Sequence, residues 1–189
     1  MTDLDEYGVA LRVATALDEL GIDYTLGGSL ASSLHGEPRS TNDVDFAVRL
    51  QESQIPALIG RLGPEFVIDE DGLRAAVRAG RARQIYFLPL ALKIDLFVRG
   101  AAAFDRSEFA RRVRVHVGDR GALYVASLED SLLRKLVSFR LGGEVSDRQW
   151  RDVLGLVRAA AIGLDRAYLE HWAPELGVSD LLARALARA

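Results

Sequence analysis

The spacing of apolar residues changes from helical to strand-like along the first part of the chain. Residues 4–20 carry apolar side chains at helical intervals, and Gly21 stands where such a helix would end. The next segments, "DYTLG" and "GSLASSLHG", are typical of a short strand and a brief helix. We therefore expect a helix, a strand and a second helix in that order.

The run "DVDFAV" alternates between polar and apolar positions, as a half-buried strand does. Val44, Phe46 and Val48 would face one way, whereas Asp43 and Asp45 would face the other. Carboxylates are seldom buried without a partner, and two neighbouring carboxylates repel one another. A positively charged group is therefore expected between these two aspartates.

The pattern continues as a mixture of helix and strand to about residue 126. Residues 52–63 and 70–80 have helical spacing, and "EFVID" between them is a strand candidate. The segments "RQIYFLP" and "LKIDLFV", separated by a turn at Pro89, predict an antiparallel hairpin. The segments "RRVRVHVG" and "ALYVA" are further strand candidates.

Helical spacing dominates after Ser127. The segment "SLEDSLLRKLVSFRL" begins with a capping-box pattern in which Asp130 replaces the usual glutamate. Three further helices are predicted over residues 146–161, 165–173 and 178–188. We therefore predict an α/β (α+β) fold, with a mixed sheet and flanking helices over residues 1–126. A C-terminal helical region, residues 127–189, is expected to pack on this core.

Composition narrows the class of protein without indicating an activity. The 189 residues include no cysteine, which excludes disulfides and thiolate metal sites. No apolar stretch approaches the roughly 20 residues of a membrane span, and the acidic start "MTDLDEYGVA" lacks the apolar region of a signal peptide. A net charge of −3 gives no global reason to expect nucleic-acid binding. We expect a cytoplasmic protein that does not enter a membrane.

Asp95 lies on the second strand of the predicted hairpin and shares a face with Lys93. If this strand neighbours "DVDFAV" in one sheet, Asp43, Asp45 and Asp95 converge beside that lysine. An oxygen-only cluster suits a hard divalent cation, which would also relieve the repulsion between the carboxylates. We expect two Mg2+ ions, with Mn2+ as a substitute, because paired ions activate an attacking hydroxyl and stabilise a leaving phosphate.

The turn formed by Gly27, Gly28 and Ser29 is a candidate phosphate cradle. Glycines let the backbone approach a ligand closely, and a following helix start presents unpaired N–H groups. Ser29 would add a hydroxyl donor or simply cap the helix. A phosphate cradle close in sequence to a carboxylate pair favours a nucleoside triphosphate as ligand. The sequence lacks an EF-hand loop, a Walker loop and a dinucleotide-binding fingerprint.

The stretch "GGSLASSLHGEPRSTNDVDF" and the later "KIDLF" resemble the signature of the DNA-polymerase-β-type nucleotidyltransferases. In that signature a Gly-Gly/Ser turn precedes an Asp-x-Asp pair, and a third aspartate follows on a separate strand. His35, Arg39 and Thr41 make the stretch similar to the small bacterial AbiEii-like branch. The helical segment around Lys135 also resembles the tail of that branch, so the similarity covers about residues 20–160.

The resemblance implies a nucleotidyltransferase fold and a role for each residue of the signature. Gly28 and Ser29 would contact the phosphates of the nucleotide. Asp43 and Asp45 would bind both metal ions. Asp95 would bind one metal ion and help to deprotonate the hydroxyl of the acceptor.

Three basic residues are candidate nucleotide contacts, and each has a structural alternative. Lys93 would reach a phosphate or form a structural ion pair. Arg39 would contact a phosphate or anchor its own loop, and Lys135 would contact the nucleotide or lie in solvent. Arg148 and Asp152 are instead expected to lock the helical half onto the sheet.

The leading hypothesis is an enzyme that transfers a nucleoside monophosphate from an NTP, such as ATP, to a hydroxyl group and releases pyrophosphate. The acceptor would be a tRNA, a protein side chain or a small molecule. One alternative is a toxin that uses this activity and is neutralised by an antitoxin protein. Another is a degenerate nucleotide-binding protein without turnover, although the presence of all three carboxylates argues against it.

Overall fold

A computed structural model describes residues 5–35, 41–160 and 163–188 of the chain. The strands are β1 (Tyr24–Leu26), β2 (Asp43–Val48), β3 (Phe66–Val67), β4 (Ala82–Phe87), β5 (Leu92–Val98), β6 (Val113–His116) and β7 (Ala122–Val125). The helices are α1 (Glu6–Glu19), α2 (Gly28–Leu34), α3 (Ile55–Leu62), α4 (Glu70–Ala79), α5 (Ala103–Arg111), α6 (Leu128–Leu141), α7 (Asp147–Ala159), α8 (Arg166–Glu175) and α9 (Ser179–Leu186). None of these described helices is long and apolar enough to cross a membrane.

The described residues divide into two compact units. Residues 5–30 and 41–126 belong to the first unit, which contains β1 to β7. Residues 31–35, 127–160 and 163–188 belong to the second unit, which contains α6 to α9. That the C-terminal helical region packs on the core stays a prediction.

The seven strands of the described residues form one mixed sheet in the order β3-β4-β5-β2-β1-β7-β6. β2 runs parallel to β5 and β1 runs parallel to β7, whereas the other neighbouring strands are antiparallel. The apolar side chains of the two central strands are buried, since Val44, Phe46, Ile94 and Leu96 are at most 1% exposed. Because side chains alternate along a strand, this burial fixes which face of β2 and β5 carries the aspartates.

Two helices of the first unit, α1 and α4, begin at acidic caps. Asp5 Oδ1 accepts the Gly8 N–H at 2.7 Å at the start of α1, and both oxygens of Asp5 also accept from Arg120 at 2.8 Å. Asp69 caps α4 in the same way through the Gly72 N–H. α4 ends at Gly80, which has a left-handed φ of 59°.

The second unit contains a fully buried carboxylate at the start of α6. The hydroxyl of Ser127 accepts the Asp130 N–H at the start of α6, as the capping pattern predicts. The side chain of Asp130 is fully buried and accepts hydrogen bonds from the hydroxyls of Ser127 and Tyr168, each at 2.6 Å. These bonds link α8 to the beginning of α6 and satisfy a group that would be costly to bury alone.

The structure confirms the predicted fold class and the antiparallel hairpin of β4 and β5. Two strand predictions are too long, because "EFVID" contributes two residues to β3 and the strand within "RRVRVHVG" begins at Val113. The sequence pattern does not predict α5. Its buried residues are Phe104, Phe109 and the charged Glu108, so no continuous apolar stripe marks this helix.

Candidate active site

The backbone of Asp43 is held by a threonine just before β2. The hydroxyl of Thr41 accepts the Asp43 N–H at 3.3 Å and donates to the Asp43 carbonyl oxygen at 3.1 Å. Thr41 itself is buried. Asp43 and Asp45 then occupy the first and third positions of β2, so both carboxylates project from the half-buried face of the strand.

The parallel pairing of β2 with β5 brings the third aspartate to the same face. Asp43 is the register partner of Lys93, and Asp45 is the register partner of Asp95. Register partners in neighbouring strands point to the same side of the sheet. The structure thereby confirms that the two strands are neighbours, which was the condition for the three carboxylates to converge.

A single ammonium group joins the two strands at this face. The Nζ atom of Lys93 lies 3.3 Å from Asp43 Oδ1 and 3.0 Å from Asp95 Oδ2. The Asp95 side chain is 13% exposed, whereas the Asp43 side chain is 49% exposed. The pKa of Lys93 is raised above its ordinary value, chiefly by the hydrogen bond to Asp95, and desolvation opposes this shift. Lys93 is thus a positive group between Asp43 and Asp95; a positive group between Asp43 and Asp45 stays a prediction.

The glycine turn lies directly against the aspartates. The Gly27 N–H donates to the carbonyl oxygen of Asp45 at 2.8 Å, which extends the antiparallel pairing of β1 and β2. Gly28 has a φ of +62°, and a Cβ atom added there would lie 1.7 Å from Asp45 Oδ2. Gly28 is thus required both by its backbone conformation and by the carboxylate packed against it. Ser29 follows as the second residue of α2 and is half-buried.

The donor set fits a hard divalent cation by its chemistry. The aspartates offer carboxylate oxygens alone, which suit Mg2+ or Mn2+. The ammonium of Lys93 marks a position where a cation lies between Asp43 and Asp95. As the side chains stand, no group of three or more His, Cys, Asp or Glu residues among the described residues is arranged to hold a metal ion. A bound ion would therefore require local rearrangement at this face.

The two remaining predicted nucleotide contacts are Arg39 and Lys135. Arg39 lies outside the described residues. Lys135 belongs to the second unit, where its Nζ donates to Asp152 Oδ2 at 3.2 Å and joins α6 to α7. The predictions that Lys135 contacts the nucleotide and that Asp152 locks the helical half onto the sheet stay predictions.

Two features of the site were missed or left open by the sequence. Thr41 received no role, although a threonine two residues before a strand aspartate is the signal for the turn described above. Lys93 was left between a phosphate contact and an ion pair. Its contact with Asp43 depends on the register of β2 and β5, which no spacing within one strand reveals.

Comparison with known proteins identifies the fold. No protein-family model and no curated protein matches the chain. An antigenic nucleotidyltransferase-like protein from Paracoccidioides brasiliensis is 17% identical, with a TM-score of 0.49 over 95% of this chain and 91% of that chain. The antibiotic-resistance factor ANT(2'')-Ia is 13% identical, with a TM-score of 0.50 over 95% of this chain and 92% of that chain. At such identities the likeness to the second structure establishes a nucleotidyltransferase-like fold and no more.

Proposed function

We propose that this protein is a nucleotidyltransferase that transfers a nucleoside monophosphate from an NTP, such as ATP, to a hydroxyl group and releases pyrophosphate. The observation that carries the proposal is the parallel register of β2 and β5, which places Asp43, Asp45 and Asp95 on one face. The nucleotidyltransferase-like fold and the resemblance of the Gly-Gly-Ser turn and the three aspartates to the superfamily signature support it. The finer assignment to the AbiEii-like branch and a cytoplasmic location belong to the proposal.

The residues of this face have distinct roles in the proposed reaction. Asp43 and Asp45 would hold two Mg2+ or Mn2+ ions, and Asp95 would hold one of them. These ions would supply positive charge for the phosphates and lower the pKa of the attacking hydroxyl. Gly27, Gly28 and Ser29 would lie along the phosphates, because a glycine backbone lets a ligand approach closely and the start of α2 offers N–H groups.

Asp95 would act as the proton acceptor. The oxygen of the acceptor hydroxyl attacks the α-phosphorus of the NTP while its proton passes to a carboxylate oxygen of Asp95. The bond between the α-phosphorus and the bridging oxygen breaks, and pyrophosphate leaves. Asp95 is the less exposed of the two aspartates that contact Lys93.

The proposal is tested with each α-labelled NTP, in EDTA or in Mg2+, together with cellular RNA, cellular protein or candidate small hydroxyl compounds. We expect label to move to one acceptor class in Mg2+ alone, and we expect Asp45→Asn to abolish the transfer. Which acceptor carries the label decides between tRNA, protein and small molecule. Tight NTP binding without transfer to any acceptor would favour the degenerate nucleotide-binding alternative. Suppression of transfer by a protein encoded in the adjacent gene would support the toxin alternative.

A further inference from the structure

The contact of Lys93 with two aspartates has a consequence for ligand binding. The carboxylate oxygens that contact its ammonium belong to Asp43 and Asp95, two of the three residues proposed to bind metal. A divalent ion and an ammonium group within a few ångströms of each other repel strongly in a partly desolvated site. The ammonium and the metal therefore cannot occupy this face together in the arrangement that the structure describes.

The side chain of Lys93 is suited to leaving this position. It is 30% exposed, and a lysine carries a compact charge on a flexible four-carbon stem. The chain has lysine at two of its 24 basic positions, and an arginine here would make a more rigid, forked contact with the carboxylates. An NTP that arrives with its metal ion brings phosphate oxygens, which offer the ammonium a new anionic partner.

We propose that Lys93 is an internal counter-cation, which holds Asp43 and Asp95 together in the metal-free protein and exchanges these carboxylates for a phosphate of the nucleotide when the metal ion enters. This inference rests on the proposed function for the identity of the nucleotide. If Lys93 exchanges its partners in this way, the metal ion and the NTP bind cooperatively. A metal ion alone displaces the ammonium of Lys93 from the carboxylates and offers it no new anion. The metal–NTP complex also displaces the ammonium, but it supplies a phosphate as the new anionic partner.

The experiment measures Mn2+ binding to the free protein by EPR, and binding of a non-hydrolysable NTP with and without Mn2+ by calorimetry. In Lys93→Met we expect Mn2+ alone to bind at least about tenfold more tightly than in the parent, because the competing ammonium is gone. We expect the NTP to bind more weakly in the presence of Mn2+. Lys93→Gln, which retains polar contact with the carboxylates, should shift both affinities in the same directions and serves if Lys93→Met does not fold.

Arg78→Met is the matched control. It also removes one positive charge from the first unit, but Arg78 contacts Glu52 rather than the aspartates of the sheet. Its Mn2+ affinity should equal that of the parent. Unchanged or weaker Mn2+ binding in both Lys93 variants would overturn the inference and assign Lys93 a purely structural ion pair. If the parent itself binds neither Mn2+ nor the metal–NTP complex, the proposed function fails as well, so the two failures are distinguishable.

Discussion

The two lysines of the chain contact aspartates in different settings. Lys93 lies on the sheet of the first unit, where one ammonium meets Asp43 and Asp95 and the carboxylate of Asp45 belongs to the same face. Lys135 lies on a helix of the second unit and contacts Asp152 on the next helix. The Lys135 and Asp152 side chains are 14% and 16% exposed, whereas the Lys93 and Asp43 side chains are 30% and 49% exposed.

This difference indicates that the lysine at the sheet can exchange its carboxylate partners for a ligand. The ion pair between α6 and α7 is instead suited to holding the two helices together. At the sheet, Lys93 contacts two carboxylates on a face that also carries Asp45, and part of this cluster is open to solvent. At α6 and α7, the contacting charges are opposite and nearly removed from water, so that separating them leaves a desolvated charge. We therefore expect changes at the sheet to alter ligand binding and changes at the helices to alter stability.

The largest effect should follow Asp95→Asn. Loss of the proposed proton acceptor and of a proposed metal ligand should lower the rate of the proposed nucleotidyl transfer by about 1000-fold or more. Stability in EDTA should change little, since the amide oxygen still accepts from Lys93. The rate is measured as pyrophosphate release, and Asp69→Asn is the control because asparagine also caps α4. A rate for Asp95→Asn within tenfold of the parent would contradict the assignment of the site.

Lys135→Met tests the other half of the comparison. Removing the ammonium leaves Asp152 largely buried, which should lower the free energy of unfolding by about 2–4 kcal/mol. The loss should be the same in EDTA and in Mg2+ with a non-hydrolysable NTP. Urea denaturation measures it, and the additional change Asp152→Asn should restore most of the stability. A loss that appears mainly in the presence of the nucleotide would instead place Lys135 in the binding site.

Gly28→Ala and Gly80→Ala form a matched pair in the first unit. Both glycines have a left-handed φ, at +62° and +59°, so alanine should cost about 1 kcal/mol at each. The Cβ at Gly80 meets open space, whereas the Cβ at Gly28 collides with Asp45. Gly28→Ala should therefore destabilise more, and it should also lose the rise in melting temperature that the proposed function predicts for Mg2+ and NTP. Equal behaviour of the two variants would show that the contact with Asp45 has no bearing on ligand binding.

The smallest expected effect on stability is that of replacing Asp5, a carboxylate of the first unit that does not belong to the cluster of Lys93 and the sheet aspartates. Asp5→Ala removes the cap of α1 and should cost about 1 kcal/mol, independently of Mg2+. Burial alone would raise the pKa of Asp5, but the Gly8 N–H and Arg120 outweigh it and lower that pKa below its usual value. This contribution is present above about pH 4 and is lost as the pH falls through the lowered pKa. Urea denaturation of parent and variant across pH 2.5–7 should show the difference shrinking at the acidic end; a constant difference would contradict this account.

The central strands were predictable from sequence because their pattern is local. Alternation along β2 and β5 assigns Asp43, Asp45 and Asp95 to polar positions without reference to any other part of the chain. The hairpin of β4 and β5 was predictable for the same reason, since two alternating runs flank a short turn.

The order of the strands was not predictable, because it depends on pairing between distant segments. Nothing in the alternation of β2 indicates that β5 lies on one side of it and β1 on the other. The contact of Lys93 with Asp43 follows from that pairing. The fully buried Asp130 was assigned as a cap residue, and its bond to Tyr168 joins segments too far apart for a helical pattern to reveal.

The parallel ladder between β2 and β5 also constrains the order in which the protein can fold. Between Val48 and Leu92 the chain forms α3, α4 and the strands β3 and β4 before it returns beside β2. Pairings between such distant segments close slowly, whereas the β4–β5 hairpin can form locally. A chain growing on the ribosome therefore carries Asp43 and Asp45 for some time before β5 delivers Lys93 and Asp95. We expect the face that carries the three aspartates to assemble after the β4–β5 hairpin and before β7 pairs with β1.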